Sequence, residues 1–533
     1  MSKHEREIRV ALSVEAASFF VALVAPQHLP VQLRSAFRRE RDVGLVVGCT
    51  LVPLVLLSRL AMDLYHHESF SGFTFFYAWT SVTIGISAFV RLVLLRSPSF
   101  AVALAVDCAL LPALEHAVAL AGGPSHAVVT AACRCLASLV LSFGVRALPR
   151  SFTLGEALLV AQGVAMNAFD LGVYSARRLQ AKGVAAGARL LGLEQWGVDA
   201  VERDDYVLAL QLGLTGSLLV CVSLAPLLRT HGVGSPSIVA PPLGGPQCAS
   251  FALRSLGVVG AVVYPWSCLV LETANPLAWL VSFLRSRASR AGLVVYWVAC
   301  LAVLVPLFAL AVDRLAIRTI VARKLFHALV VLMFVPAYFA DAPMLALSYG
   351  VALSVFCLVE CVRALSLPPA GRHIAAFMKT FIDRRDAGRA VLTHSYLLLG
   401  CALPLWLSLP SGPAAGPNSP ASALTANAGI LALGVGDAMG AVVGSSYGRR
   451  RLIGSKTLEG ALAVIVSMAL ASLCFHDFHV EFLVHGRFGQ LALFVAAVAL
   501  TSILETCTSQ IDNLVLPLYF FATCSLVACH RGV

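Results

Sequence analysis

The feature that most constrains this chain is a series of apolar runs, each about 20 residues long, that recurs from one end to the other. An α-helix of that length crosses the hydrocarbon core of a bilayer with its backbone hydrogen bonds satisfied internally. Of the 533 residues, 59% are hydrophobic and 13% are charged, a balance that excludes an ordinary soluble globular protein. We therefore predict an all-α, polytopic integral membrane protein with about 15 transmembrane helices.

The candidate spans fall into a clear and a weaker group. The clear ones are residues 43–62, 73–95, 100–121, 127–148, 206–228, 250–271, 293–312, 344–365, 458–475, 487–505 and 512–529. The weaker ones, which carry polar residues or prolines, are 8–26, 154–173, 324–340, 390–409 and 424–444. The first ten residues carry charges of both signs, so we expect no cleavable signal peptide and a first apolar segment that stays in the protein.

The formal net charge of +11 comes from cations in short loops between candidate spans, which indicates membrane orientation and not nucleic-acid binding. If every candidate crosses, one side receives the cations of 34–41, 314–324, 372–389 and 449–456. The positive-inside rule makes that side cytosolic. The cations at 177–189 and 285–290 fall on the other side, and an interfacial helix at 275–290 would explain the second group.

Residues 434–460 join the end of an apolar run to a cluster of cations, and Asp437 lies inside that run. A carboxylate within a span is costly to insert, so it indicates a functional site that faces the bundle interior or a wet cavity. Around it, Gly436, Gly440 and Gly444 recur every four residues on one helix face, where another backbone or a ligand can come close. Packing between helices through small residues is the alternative interpretation of these glycines.

Four cations follow Asp437, immediately before a helix predicted to begin near Thr457: Arg449, Arg450, Arg451 and Lys456. Guanidinium groups and a lysine hold phosphate oxygens, and the start of a helix also favours an anion. Glu459 and Asp437 would then hold a divalent cation between themselves and the phosphates. Such parts suit phosphoryl or nucleotidyl transfer. The alternative is that the cations fix topology or contact anionic headgroups.

Other polar residues share the predicted cytosolic side. Asp383 or Asp386 would supply a second metal ligand or the base that takes a hydroxyl proton, unless their loop is a self-paired connector. His394 is a further candidate proton acceptor, with packing as its alternative. Asp512 is a candidate metal ligand or a helix cap. Arg323, Lys324 and His327 are either membrane-edge anchors or part of the site, and Glu156 opens a span on the same side without an assigned role.

Familiar kinase motifs are absent from the sequence. There is no G-x-x-x-x-G-K-[ST] phosphate loop, no H-R-D catalytic loop and no D-F-G motif, so any nucleotide site must be of another kind. The order Gly436-Asp437, Gly444, Gly448, a basic cluster and then Lys456-Thr457-Leu458-Glu459-Gly460 resembles the CTP-dependent polyprenol kinase family, most closely its members that act on dolichol. Further matches are SFTLGEALLVAQG (151–163), NPLAWLVSFL (275–284), RKLFH (323–327) with Glu360 and Arg363, FIDRRDAGRAVLTHSYLLLGCALPLWL (381–407) and SQIDNLVLPLY (509–519).

The resemblance implies transfer of the γ-phosphate of CTP to the hydroxyl of dolichol at the cytosolic face of the endoplasmic reticulum membrane, which supplies dolichyl phosphate for protein glycosylation. The expected CTP-binding residues are Gly436, Gly444, Gly448, Arg449, Arg450, Arg451, Ser455, Lys456, Thr457, Glu459 and Gly460. The candidate ligands of Mg²⁺ or another divalent cation are Asp437, Glu459 and Asp512. The candidate catalytic residues are Asp437, Lys456, Asp383, Asp386 and His394. The loop is one lysine shorter than the family pattern, and we expect Arg451 to replace the missing cation.

We predict two regions along the chain. Residues 1–290 form an N-terminal transmembrane region that serves as scaffold and lipid groove, and residues 291–533 form the catalytic region with a cytosolic CTP-binding loop. The expected partners are the dolichol or polyprenol substrate, CTP and the lipid bilayer. Two other functions stay open here. One is a CTP:phosphatidate cytidylyltransferase-like CDP-lipid synthase, although the His-Gly-Gly pattern of that family is absent around residues 490–520. The other is a secondary transporter, for which inverted repeats with broken helices are expected.

Overall fold

A computed structural model of the protein describes residues 37–38, 43–67, 72–95, 100–113, 127–183, 203–230, 243–315, 319–379, 388–409, 422–454, 456–475, 488–508 and 510–528. Within these ranges the regular structure is helical, and the extended backbone forms only an isolated bridge between Arg451 and Thr457. The predicted all-α fold class is confirmed. The candidate span at 8–26 lies outside the described residues.

The α-helices are numbered here in chain order. They are α1 Leu45–His67, α2 Gly72–Phe89, α3 Phe100–Ala105, α4 Ala127–Ala147, α5 Leu154–Ala181, α6 Asp205–Thr230, α7 Gly245–Val258, α8 Tyr264–Val270, α9 Pro276–Arg285, α10 Ala288–Leu315, α11 Thr319–Ala364, α12 Ala370–Lys379, α13 Thr393–Ser408, α14 Ser422–Ala426, α15 Ala438–Tyr447, α16 Leu458–Ser472, α17 Phe488–Cys507 and α18 Asp512–Ala528. Wider π-helical segments occupy Val90–Leu94, Val106–Leu110, Val259–Val263 and Ile430–Asp437.

In the described part of the chain, nine helical stretches are long and apolar enough to cross a membrane, and five shorter apolar helices accompany them. The chain is thus a polytopic membrane protein, while the total of about 15 spans stays a prediction. The stretches Gly245–Val270 and Ala288–Val312 have only 6% and 11% of their residues buried. Their large exposed side chains, such as Leu253 and Val295, are suited to contact with lipid.

Helix α11 consists of two helical segments that meet at Asp341, where φ is −163° and ψ is 91°. The Asp341 carboxylate accepts a hydrogen bond from the Met344 amide (2.9 Å) and one from Arg290 Nε (2.9 Å). The two predicted spans 324–340 and 344–365 are therefore separate segments, as expected. Asp341 is about 25 Å along the helix from Lys324, so Arg290 belongs to the opposite end of the bundle. The short helix α9 lies where an interfacial helix was expected.

Large apolar side chains form a buried core between the helices that carry the candidate site. Leu51 of α1, Leu431 of the π-helical segment, Met468 of α16, Phe494 of α17 and Phe520 of α18 belong to one buried cluster. The rings of Phe494 and Phe520 pack edge to face, with centroids 6.1 Å apart. The π-helical segment and α15 pack against α16 and α11, and the π-helical segment also packs against α18.

Candidate active site

Asp437 is the last residue of the π-helical segment Ile430–Asp437 and is buried, with its side chain 3% exposed. Its carboxylate accepts a hydrogen bond from the ammonium group of Lys324 on α11, and His327 Nδ1 lies 3.3 Å from the same oxygen. His327 Nδ1 is also 2.8 Å from the Leu433 carbonyl oxygen. π-helical turns inside helices are frequently found at functional sites. Here the wide turn directs an intramembrane acid toward α11, so the acid faces the bundle interior, as predicted.

Lys456 lies between α15 and α16, and its side chain turns inward. The ammonium group pairs with the Glu505 carboxylate at the end of α17 and lies 4.0 Å from Asp512 Oδ2 at the start of α18. Burial acts to lower the pKa of Lys456, but the carboxylates of Asp512, Glu505 and Asp437 outweigh it and raise this pKa above the usual lysine value. Lys456 is therefore a fixed positive charge next to three acids.

These contacts form two groups, one around Asp437 and one around Lys456, and the charges of Asp437 and Lys456 attract each other between the groups. We call the six residues together the charge cluster: Lys324, His327, Asp437, Lys456, Glu505 and Asp512. Its members come from α11, the π-helical segment, the loop before α16, the end of α17 and the start of α18. When ionised, three carboxylates face two lysines, so the cluster carries one excess negative charge apart from His327. An additional cation would balance that charge, whereas a phosphate alone would not.

The other cations lie on an exposed stretch of the chain, residues 448–454. The Leu452 amide donates to the Lys456 carbonyl (2.9 Å), and the Leu458 amide donates to the Arg450 carbonyl (2.8 Å). Arg449, Arg450 and Arg451 are exposed on this loop. They are therefore placed to meet an anion from solution, while Lys456 belongs to the charge cluster below them. Thr457 caps α16, because its hydroxyl oxygen accepts from the Gly460 amide (3.2 Å).

Glu459, a predicted metal ligand, occupies a different position from Asp437. Its carboxylate accepts hydrogen bonds from the backbone amides of Arg449 (3.0 Å) and Arg450 (3.2 Å). These bonds fasten the arginine loop to the first turn of α16. In the described part of the chain, Asp437, Glu459 and Asp512 do not form a three-ligand metal group. The contacts of Glu459 are those that hold the arginine loop.

The glycines around Asp437 bring α15 and α16 into contact. A Cβ atom added to Gly440 would lie 2.6 Å from Val464 Cγ2, and one added to Gly460 would lie 2.9 Å from the Gly440 carbonyl oxygen. Gly436 similarly faces Met468, and Gly444 and Gly448 face Thr457. Helix packing, the alternative interpretation at the sequence level, thus accounts for the spacing of these residues. Nucleotide contact by Gly436, Gly444, Gly448 and Gly460 stays a prediction.

The acidic side chains of the charge cluster are the available donors for a metal ion. Among the described residues, no three His, Cys, Asp or Glu side chains are arranged to hold a metal ion by themselves. Magnesium is usually bound by one or two carboxylates together with substrate phosphates and does not need an all-protein cage. Asp437 and Asp512, facing a common lysine in a cluster with excess negative charge, have the donor chemistry for such a shared site.

The remaining predicted residues lie at the edge of the cluster or outside the described ranges. The His394 ring packs edge to face on Phe326, with centroids 5.8 Å apart, next to Lys324 and His327 in sequence. Asp383, Asp386 and Ser455 lie outside the described residues, so their roles stay predictions.

Two members of the cluster received no clear role from the sequence. The sequence leaves Lys324 as either a membrane-edge anchor or a site residue, and its bond to Asp437 spans 113 positions. The sequence pattern alone assigns no role to Glu505, although it too is an acid at the end of an apolar run. The rule that singled out Asp437, an acid inside a span, would have found Glu505 as well.

The dolichol kinase family model matches residues 244–453, which include Lys324, His327 and Asp437 and end before Lys456. The human dolichol kinase is 33% identical over 384 residues, which are 70% of this chain and 64% of that protein. The dolichol kinase EVAN of Arabidopsis thaliana is 37% identical over 255 residues, which are 46% of this chain and 42% of that protein.

A fungal dolichol kinase is similar to this chain as well. The dolichol kinase of Saccharomyces cerevisiae is 29% identical over 280 residues, half of this chain and 49% of that protein. The chain spans a little under two thirds of the length of the mammalian relatives that it matches. No solved structure matches it.

Proposed function

Because the chain belongs to the dolichol kinase family, we propose that it transfers the γ-phosphoryl group of CTP to the hydroxyl of dolichol, giving dolichyl phosphate and CDP. The observation that carries this proposal is the charge cluster, in which the intramembrane Asp437 pairs with Lys324, the loop residue Lys456 pairs with Glu505, and Asp437 and Lys456 interact electrostatically. The cluster lies directly beneath an exposed loop with three arginines. This arrangement supports a site for an anionic phosphate donor at one face of the membrane.

In the proposed reaction the protein supplies position and charge. The exposed Arg449, Arg450 and Arg451 would bind the outer phosphate oxygens, and Lys456 would provide a fixed positive charge beside the transferred group. Asp437 and Asp512 would hold Mg²⁺, which neutralises charge on the phosphates when it is bound. Glu505 holds the Lys456 ammonium group in place. No covalent protein intermediate is needed, because such transfers are catalysed by positioning and electrostatic stabilisation.

The proposed phosphate acceptor, dolichol, is a lipid and reaches the site from the membrane. A polyprenol chain can stay in lipid while its alcohol end reaches the cluster at the membrane face, which holds the two reactants together. His394, which packs on Phe326 beside the cluster, and Asp383 or Asp386 are the proposed acceptors of the hydroxyl proton. We place the reaction at the cytosolic face of the endoplasmic reticulum membrane, where dolichyl phosphate would serve protein glycosylation. The cation-rich loop on that face supports this orientation through the positive-inside rule.

One assay tests the proposal against its rivals. The purified full-length protein in detergent is given Mg²⁺, dolichol and CTP labelled at the γ position, and the lipid phase is scored for label. Transfer of γ-label supports a kinase. Incorporation of α-label into a lipid, with phosphatidate as acceptor, would instead identify a cytidylyltransferase. Saturable transport by reconstituted protein without either transfer would identify a carrier.

A further inference from the structure

Glu156 is an acid of the N-terminal region that the proposed mechanism does not use. Its side chain is 0% exposed, at the first turn of α5. Both carboxylate oxygens are engaged. Oε2 accepts from the Thr153 amide (3.1 Å), while Oε1 accepts from Arg38 Nη2 (2.5 Å) and from the Ile511 amide (3.3 Å). A buried carboxylate is kept only where such donors compensate its desolvation.

The two oxygens of Glu156 have different tasks. The Oε2 bond and the return bond from the Glu156 amide to Thr153 Oγ1 (3.2 Å) form a capping box, which needs only one carboxylate oxygen. Oε1 reaches 355 positions along the chain to Ile511. Local helix capping therefore explains the bond to Oε2 and leaves the bonds to Oε1 unexplained.

Ile511 directly precedes Asp512, the residue that faces Lys456 in the charge cluster. A second contact holds the same turn, because the hydroxyl of Thr153 donates to Gln510 Oε1. The start of α18 is thus tied by its backbone and by a side chain to the first turn of α5. Arg38 closes the network from a third segment, since its amide donates to the Phe152 carbonyl (2.7 Å) and its guanidinium group donates to the Ser151 carbonyl (3.2 Å).

We infer that Glu156 is a positioning residue for the active site, which acts through Asp512. By holding the Ile511 amide, it fixes where α18 begins and so sets the Asp512 carboxylate opposite the Lys456 ammonium group. The N-terminal region then completes the catalytic site in addition to serving as scaffold. This inference rests on the proposed function, because a displaced Asp512 is detected by weaker binding of Mg²⁺ with CTP and by slower phosphoryl transfer.

The test is a double-mutant cycle on the full-length protein. Glu156→Gln keeps one acceptor oxygen for the capping box and replaces the other with an amide group, which cannot accept from Ile511 or Arg38. It is compared with Asp512→Asn and with the double variant. If Glu156 acts through Asp512, Glu156→Gln lowers kcat on the order of tenfold. It also raises the Mg²⁺ concentration needed for half-maximal rate, and it adds little further loss to Asp512→Asn.

Asp170 offers a matched control on the same helix. It is also a buried acid, with bonds from Arg203 Nη2 (2.7 Å) and Gln211 Nε2 (2.7 Å), but it lies 14 residues further along α5 and outside the charge cluster. Asp170→Asn is expected to lower the unfolding midpoint as Glu156→Gln does, while the half-maximal Mg²⁺ concentration stays unchanged. Its effect on kcat, if any, should multiply with that of Asp512→Asn.

Two outcomes would overturn the inference: a multiplicative loss in Glu156→Gln/Asp512→Asn, or an unchanged Mg²⁺ dependence in Glu156→Gln. If Glu156→Gln does not fold, Gln510→Ala removes the second tie to the same turn and takes its place in the cycle. The rise in unfolding midpoint caused by Mg²⁺ with CTP is measured on every variant. A wild-type protein that phosphorylates no dolichol would refute the proposed function, and this binding cycle would then decide the role of Glu156 by itself.

Discussion

The Lys324 ammonium group donates a hydrogen bond to the Asp437 carboxylate, although the two residues are 113 positions apart. Both side chains are largely buried, so each is the counter-ion that makes the other tolerable inside the bundle. The pair also has a functional consequence. A divalent cation or a phosphate that enters the cluster must share or replace one of these two charges.

We predict that substitutions of Lys324 and Asp437 affect stability and activity differently. Asp437→Asn and Lys324→Met each leave one buried charge unpaired and should cost about 3–5 kcal/mol of unfolding free energy. The double variant removes both charges and should recover much of that loss, while phosphoryl transfer stays abolished as in Asp437→Asn. Unfolding midpoints in detergent and transfer rates on the same preparations check this. Near-normal transfer by Asp437→Asn would remove this acid from the mechanism.

Lys456 should be essential for transfer and sensitive to the shape of its cation. Lys456→Ala should abolish turnover without preventing membrane insertion. Lys456→Arg keeps the charge but replaces a compact ammonium with a planar fork, so we expect kcat to fall on the order of tenfold or more. Arg314→Ala, a change to an exposed arginine at the end of α10, serves as the control and should leave kcat unchanged. Equal rates for Lys456→Ala and the wild type would contradict the proposed site.

The Glu459 carboxylate should affect nucleotide binding more than the chemical step. Glu459→Gln replaces one of the oxygens that hold the Arg449 and Arg450 amides, so the arginine loop becomes less ordered. We expect the KM for CTP to rise roughly three- to tenfold with little change in kcat. Steady-state kinetics at several CTP concentrations give both constants. A fall in kcat at unchanged KM would instead support the original prediction of Glu459 as a metal ligand.

The sequence predicts the parts of this protein that depend on local patterns. Apolar length predicts helical spans, and a charge inside a span predicts Asp437 as a functional residue. The break at Asp341 lies between two spans that were already separate in the sequence pattern. Glycines at intervals of four predict a close helix contact, but local spacing does not distinguish a helix neighbour from a ligand. The structure places α16 there.

Contacts between segments that are distant in the sequence cannot be predicted from local patterns. The bonds of Asp437 to Lys324 and of Lys456 to Glu505 depend on which helices pack side by side, and no local periodicity encodes that choice. Glu459 shows the same limit at short range. Its spacing from the arginines suits either a metal ligand or an acceptor for their amides, and only the loop conformation decides between them. Glu156 received no role for this reason, since its partner is 355 positions away.

The raised pKa of Lys456 predicts how the site responds to pH. A raised pKa means that the folded protein holds this proton more tightly than the unfolded chain does. The resulting stabilisation is complete below the usual lysine pKa of about 10.4 and is lost only as pH rises through the higher folded value. The rise in unfolding midpoint caused by Mg²⁺ with CTP should therefore show no step from Lys456 between about pH 7 and 9. Lys456→Arg is the control, and a step in the wild type that disappears in this variant would contradict the assignment.

Gly429 provides a test of the fold beneath the site. A Cβ atom added there would lie 2.2 Å from the Gly400 carbonyl oxygen and 2.7 Å from Cys401 Cα, so the obstacle is the backbone of α13 and not a flexible side chain. We expect Gly429→Ala to lower the unfolding free energy by about 1–3 kcal/mol. It should also reduce transfer, because the displaced segment leads directly to Asp437.

Gly163→Ala on α5 is the control, since nothing lies within 4 Å of an added Cβ. Alanine in this helix interior should be stabilising by about 0.5–1 kcal/mol. Unfolding midpoints in detergent rank the two variants, and equal midpoints would show that α13 and the π-helical segment are not packed as closely as the structure places them.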